Sequence, residues 1–131
     1  MSLMTWTERE FGTHVGVADE QHRVIFDKVN ALHEAAAGGD RSVIGPQLDD
    51  LIGYVVMHFK TEEDLMQARG YADYPAHKAL HDRLVETCAD LQKKFHAGEA
   101  QITQDTTRFV RDWLLNHIPK IDMPYGPHIG P

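Results

Sequence analysis

The placement of histidine constrains the fold of this chain more than any other feature of its sequence. Nine of the 131 residues are histidine. Four segments carry apolar residues at three- and four-residue steps, as amphipathic helices do, and each also has histidine on that apolar stripe. Burying a neutral polar group without a partner costs about 2–7 kcal/mol, so these histidines need a shared partner in the core. They are His22, His58, His77, His81 and His117.

Residues that start or stop helices mark the ends of the four segments. We expect Asp19 to cap the first helix at its N-terminus, because its short side chain can accept a hydrogen bond from a free backbone N–H. Glycines and prolines mark most of the remaining boundaries. The expected ends are Gly38-Gly39-Asp40 for the first helix, Ser42 or Pro46 to Gly70 for the second, Asp73 to Gly98 for the third, and Thr103 to Pro119 for the fourth.

Four helices joined by short links predict an all-α fold, an antiparallel up-down-up-down four-helix bundle. The length suits one domain over 1–131. Within it we expect an extended N-terminal arm over 1–18, the bundle over about 19–118, and an irregular C-terminal segment over about 119–131.

Composition and charge exclude several classes of partner. The net charge of −7 argues against binding to nucleic acid, which depends on Lys and Arg, and against docking on an anionic membrane surface. No stretch approaches the ~20 apolar residues of a membrane span, and the N-terminus lacks the pattern of a signal peptide. The single cysteine, Cys88, cannot form an internal disulfide. We therefore expect a cytoplasmic monomer with no stable membrane insertion.

The spacing of the polar residues on the stripes is typical of metal ligands. His58 and Glu62 are four residues apart, so they project from one face of a helix one turn apart. His77 and His81 repeat this spacing on the next helix. A metal ion would give every one of these buried groups a partner.

A further carboxylate follows the last histidine at a less regular distance. Asp122 is five residues after His117, an offset of about 140° on an ideal helix. Pro119 lies between them, removes a backbone donor and bends or unwinds the turn. We expect this distortion to bring Asp122 inward. His22 lies on the first helix at a depth that matches His117 on the fourth.

The order of these residues resembles the hemerythrin family, specifically its bacterial single-domain members. A lone HxxxE or HxxxH motif arises easily by chance, but the full set in order, one piece per helix, is highly specific. The resemblance covers nearly the whole chain. The matching segments are Asp19-Glu20-Gln21-His22, His58-Phe59-Lys60-Thr61-Glu62-Glu63, His77-Lys78-Ala79-Leu80-His81 and His117-Ile118-Pro119-Lys120-Ile121-Asp122.

What the resemblance implies is a cofactor of two non-haem iron ions joined by an oxo or hydroxo bridge. Two carboxylates would also bridge the irons. The implied ligands are His77, His81 and His117 on one iron, His22 and His58 on the other, and Glu62 and Asp122 between them.

Counting ligands on two six-coordinate irons leaves one position open, on the iron with two histidines. Neutral imidazoles support high-valent iron less than carboxylates do, so this set favours reversible two-electron transfer to dioxygen, held as hydroperoxide, over O–O cleavage. An apolar pocket around the open position would keep solvent and protons from releasing peroxide and leaving inert diferric iron. By resemblance, its candidates are Ile25, Phe59, Trp113, Leu114 and Ile118.

The sequence thus predicts a protein that binds dioxygen reversibly for carriage, storage or delivery, and not an enzyme. An O2-consuming protein is a candidate recipient. Three alternatives stay open: a module that senses O2 or redox state, a di-iron enzyme acting on peroxide or nitric oxide, and a site for zinc or another metal. The absence of a dedicated proton donor in the expected pocket counts against the enzyme.

Overall fold

All regular secondary structure in the part of the chain that can be described is helical. The computed structural model describes residues 3–129, and their side chains up to 127. Long helices α2–α5 form the predicted four-helix bundle, in which α2 packs on α3 and α5, and α3 packs on α4. None of the helices in this range combines the length and apolarity of a membrane span. The helices are α1 (Glu8–Phe11), α2 (Gly16–Gly38), α3 (Arg41–Ala68), α4 (Tyr74–His96), α5 (Gln104–His117) and α6 (Gly126–Ile129).

The ends of three bundle helices follow the expected signals. Helix α2 ends at Gly38 and is capped by Gly39, whose φ of 72° lies in the left-handed region that glycine adopts without strain. Asp40 then caps α3, since its carboxylate accepts hydrogen bonds from the Ser42 backbone N–H at 2.9 Å and the Ser42 hydroxyl at 2.7 Å. Thr103 caps α5 through a reciprocal capping box with Thr106.

The predicted cap of the first bundle helix is wrong. Helix α2 begins at Gly16, so Asp19 lies inside its first turn. The Asp19 carboxylate reaches back to Thr13 and accepts hydrogen bonds from the Thr13 N–H at 2.9 Å and hydroxyl at 2.7 Å. Asp19 therefore fixes the loop that enters the helix, in addition to placing negative charge at the positive end of the helix dipole.

The N-terminal arm packs along α2 but is not extended over its whole length. Residues Glu8–Phe11 form one helical turn, with the Thr7 hydroxyl accepting a hydrogen bond from the Glu10 N–H. The ring of Phe11 meets Phe26 edge-on, with 5.1 Å between ring centroids. These contacts hold the arm against the bundle.

The apolar core is divided along the bundle. The larger cluster lies toward one end and includes Phe26, Leu48 and Phe95. A smaller cluster includes Met66 and Tyr125 at the other end. The buried histidines and carboxylates lie between the two clusters, so both apolar layers shield them from water.

The C-terminal segment packs against the start of α2 so closely that Gly126 has no room for a side chain. A Cβ at Gly126 would lie 1.9 Å from the Thr13 carbonyl oxygen. We expect Gly126→Ala to lower the free energy of unfolding by about 1–3 kcal/mol through overpacking. Gly53→Ala is the control, because Gly53 is exposed within α3 and a Cβ there meets nothing within 4 Å. In urea unfolding, the Gly53→Ala variant should be at least as stable as the parent. Equal stability of the Gly126→Ala and Gly53→Ala variants would contradict the close packing at Gly126.

Candidate metal centre

The structure brings all seven predicted ligand residues into one buried cluster. They form two groups of side chains, each with donor atoms within 4.8 Å of one another, and the two groups share both carboxylates. All seven side chains are buried. The first group is Glu62, His77, His81, His117 and Asp122, and the second is His22, His58, Glu62 and Asp122.

Glu62 lies at the centre of three imidazoles from three different helices. Its Oε1 is 3.3 Å from the Nε2 atoms of both His58 and His81, and its Oε2 is 3.5 Å from His22 Nε2. His58 and Glu62 point the same way because they are one turn apart on α3, as their spacing predicts. One carboxylate therefore contacts histidines of both groups.

Asp122 reaches the cluster because the chain after α5 changes its helical pitch. Residues Ile118–Asp122 form a π-helical turn, in which the Met123 N–H donates to the Ile118 carbonyl five residues earlier. Such a turn stacks residues five apart, so Asp122 lies over His117, as the Pro119 distortion predicts.

The two oxygens of Asp122 divide between the two groups. Oδ1 lies 2.8 Å from the Nε2 atoms of both His77 and His117, and Oδ2 lies 3.1 Å from His22 Nε2. This carboxylate thus faces the three-histidine group with one oxygen and the two-histidine group with the other. The arrangement is suited to a carboxylate that joins two metal ions.

Several buried atoms of the cluster lack a hydrogen-bond partner in the described part of the chain, which tests whether a cation fits. His22 Nε2, His81 Nε2, Glu62 Oε1 and Asp122 Oδ1 approach one another without the angles of hydrogen bonds. Leaving such groups unsatisfied costs about 1–3 kcal/mol each, and more when they are charged. Lone pairs converging on shared space are what a coordinated cation requires, so the residues fit metal ions.

The charges of the metal-free cluster favour a cation as well. Burial lowers the pKa of His22, but the close carboxylates of Asp122 and Glu62 outweigh it and raise that pKa to about 10. Burial opposes ionisation of Glu62 too, yet the neighbouring histidines hold its pKa well below the usual range. At neutral pH the cluster therefore holds ionised carboxylate and a proton on His22, which an entering cation would displace.

Two ligand candidates are oriented by partners on their outer nitrogen. His58 Nδ1 donates to Gln21 Oε1 at 2.7 Å, and His81 Nδ1 donates to Glu63 Oε2 at 3.0 Å. Each bond leaves the Nε2 lone pair free to face the cluster. The side chain of Glu63 is only 16% exposed and turned toward His81, although its place next to Glu62 on α3 gives no sign of this role.

Aromatic rings hold two of the imidazoles in place. Phe59 stacks on His81 with 3.7 Å between centroids and 1° between planes. Trp113 stacks on His117 with 4.1 Å between centroids and 14° between planes. These contacts restrict ring rotation, so the imidazoles keep their direction toward the carboxylates.

Tyr125 is a residue of the site that the sequence pattern does not reveal. It is fully buried, its hydroxyl donates a hydrogen bond to Glu62 Oε2, and its ring stacks on His77 with 5.8 Å between centroids. Burial and the nearby carboxylate charges raise the pKa of Tyr125, so the hydroxyl keeps its proton. Tyr125 lies beyond the last helix that has a periodic apolar pattern. Its position three residues after Asp122 is the one sequence signal that could have pointed to it.

The five apolar pocket candidates occupy different places around the cluster. Ile25, Phe59 and Leu114 line one cavity inside the bundle. Trp113 lines a surface groove together with His117 instead. Ile118 is fully buried, directly after His117 in the chain.

The other histidines with described side chains lie away from the cluster. His96 is exposed and contacts Asp49 at 2.8 Å, and His14 is exposed with a positive φ of 67°. His33 is half-buried against Thr107, with 2.6 Å between its Nδ1 and the hydroxyl. The side chain of His128 lies outside the described residues.

Comparison with known proteins agrees with the geometry. The model of the hemerythrin HHE cation binding domain matches residues 13–129. A bacteriohemerythrin of Methylococcus capsulatus is 72% identical over 127 residues, which cover 97% of each chain. A bacteriohemerythrin of Stenotrophomonas maltophilia is 33% identical over 129 residues, 98% of this chain and 83% of the other.

Solved structures confirm the predicted fold class. The crystal structure of a wild-type hemerythrin is 69% identical and superimposes with a TM-score of 0.98 over 99% of this chain and all of the other. A leucine-to-tyrosine mutant of hemerythrin gives a TM-score of 0.99 at the same identity, with both chains fully covered. The domain match and the buried cluster together confirm the predicted cofactor, a non-haem di-iron centre. The chain belongs to the hemerythrin family.

Proposed function

We propose that this chain binds dioxygen reversibly, for carriage, storage or delivery, at two irons held by the seven clustered residues. The observation that carries the proposal is the convergence of three imidazoles in one group and two in the other on the same two carboxylates, with the donor atoms of each group within 4.8 Å of one another. The relatives named bacteriohemerythrin support it by their similarity to this chain. When bound, the irons would supply the electrons for a reversible two-electron reduction of dioxygen.

The division of the histidines supports two unequal metal positions. His77, His81 and His117 would hold one ion, and Glu62 and Asp122 would contact both. The other ion would have only His22 and His58 besides these carboxylates. One imidazole fewer leaves this position room for a small ligand.

The residues around the two-histidine group protect that position from water and protons. Ile25 follows His22 by three residues on α2 and Phe59 directly follows His58 on α3, and both line an apolar cavity inside the bundle together with Leu114. The Tyr125 proton is held in a hydrogen bond to Glu62. Apolar walls with no free acid favour release of dioxygen over release of its reduced, protonated products.

Several expectations stay predictions at this stage. They are the single domain over 1–131, the monomeric state, the cytoplasmic location, the O2-consuming recipient and the absence of enzymatic activity. On these expectations the structure shows only that no helix within residues 3–129 is able to span a membrane.

The ligand assignment predicts different consequences for two histidines on α4. We expect His77→Ala to lose most of the iron and to lower the melting temperature of the iron-loaded protein by on the order of 5–10 °C, because bound metal stabilises the folded state. His96→Ala is the control, since His96 is exposed and contacts Asp49 outside the cluster. Iron analysis and thermal unfolding give both values. Full iron content in His77→Ala would contradict the assignment.

Reversible binding can be observed directly in the iron-loaded protein. The diferrous protein is prepared anaerobically, exposed to O2 and then deoxygenated over repeated cycles while its visible spectrum is recorded. We expect a charge-transfer band that appears with O2 and disappears on its removal over many cycles. A single irreversible change would instead indicate an oxidase or a sensor and would rule out carriage.

A further inference from the structure

The outer nitrogens of two imidazoles in the cluster have hydrogen-bond partners of different charge. His81 Nδ1 donates to a carboxylate, Glu63 Oε2, at 3.0 Å, whereas His58 Nδ1 donates to a neutral amide, Gln21 Oε1, at 2.7 Å. The inner nitrogens are placed alike, since each Nε2 is 3.3 Å from Glu62 Oε1. The two histidines therefore differ in the charge that lies behind them, although they approach the same carboxylate at the same distance.

The negative charge of Glu63 acts on His81 at short range. The Glu63 side chain is only 16% exposed, so water screens its charge less than at the surface. Lys78 Nζ lies 3.8 Å from Glu63 Oε1, but it is closer to Asp82, at 2.9 Å from Oδ1. Lys78 is therefore shared between two carboxylates and neutralises Glu63 only in part.

The side-chain amide of Gln21 is held with its oxygen toward His58. Its Nε2 is 3.4 Å from Thr61 Oγ1 and 3.6 Å from Met57 Sδ, both of which can accept a hydrogen bond. The Thr61 hydroxyl donates its own proton to the Met57 carbonyl at 3.1 Å, which leaves the hydroxyl lone pairs for Gln21. A neutral acceptor therefore faces His58, and turning the amide over would lose these contacts.

Two other imidazoles of the cluster do not offset this difference. His77 Nδ1, in the three-histidine group, and His22 Nδ1, in the two-histidine group, both lack a hydrogen-bond partner within the described residues. One such nitrogen belongs to each group. Among these four imidazoles, the difference in charge between the two groups therefore comes from Glu63 and Gln21.

We propose that Glu63 and Gln21 are positioning residues that give the two metal positions unequal reduction potentials. A carboxylate that accepts from the outer N–H makes an imidazole a more basic ligand. A more basic ligand stabilises ferric over ferrous iron, so Glu63, acting through His81, lowers the potential of the three-histidine position. The two-histidine position then stays ferrous when one electron is removed from the pair. This inference rests on the proposed function only through the assignment of His81 and His58 to different ions.

Changing the charge of either partner tests the inference. Iron-loaded variants are titrated electrochemically without dioxygen, and the potentials of the two one-electron steps are compared. Glu63→Gln keeps an acceptor for His81 but removes the charge. We expect it to raise the more negative potential, because reduction of the three-histidine position becomes more favourable by on the order of tenfold, which is about 59 mV for one electron. Gln21→Glu should lower the more positive potential by a similar factor. Both variants thus narrow the separation of the two steps, although they change the net charge in opposite directions.

Asp64→Asn is the matched control, because it removes the same charge one residue farther along α3. Asp64 is 60% exposed and pairs with Lys60 at 3.3 Å, so the separation of the two steps should equal that of the parent. A separation that widens, or two steps that move together with the net charge, would overturn the inference. If one variant loses its iron, the other decides, and loss of iron from both would overturn the inference by giving these residues a role in holding metal. Narrowed steps in a protein that fails to release dioxygen would support it while contradicting the proposed function.

Discussion

The structure depends on the burial of five imidazoles and two carboxylates in the middle of a helical bundle. These groups lie within 4.8 Å of their neighbours in each set and are shielded by apolar layers on both sides. Without a cation, several of their atoms have no hydrogen-bond partner in the described part of the chain. The bundle therefore keeps in its core an arrangement that costs stability unless metal is bound, which links folding to the cofactor.

The surrounding residues are organised to keep that arrangement fixed. Gln21 and Glu63 hold the outer nitrogens of two imidazoles, and Phe59 and Trp113 stack on two imidazole rings. The π-helical turn brings Asp122 over His117, and the close fit of Gly126 against Thr13 holds the segment that carries Tyr125. The segments that flank the bundle, around Thr13 and around Gly126, thus pack against each other where they support the cluster.

The sequence predicts the bundle and all seven clustered residues well, because helical periodicity determines which side chains share a face. His58 with Glu62, and His77 with His81, need only the four-residue rule. Tyr125 could not be predicted in this way, since its contact with Glu62 joins residues 63 positions apart across an irregular turn. The contact between Glu63 and His81 depends equally on how two helices pack.

The helix boundaries show the same limit on a smaller scale. Asp19 has the side chain of an N-cap, and the sequence alone does not reveal that Thr13 supplies its donors three residues before the helix begins. The internal cavity is likewise absent from any sequence pattern. Its lining consists of ordinary core residues, and only their packed volumes show that they leave a continuous space.

The most direct test of this account is an anaerobic titration of the metal-free chain with Fe²⁺, followed by calorimetry. Two groups of candidate ligands that share Glu62 and Asp122 predict saturation at two irons per chain, with protons released on binding. Saturation at one iron, or no binding, would contradict it.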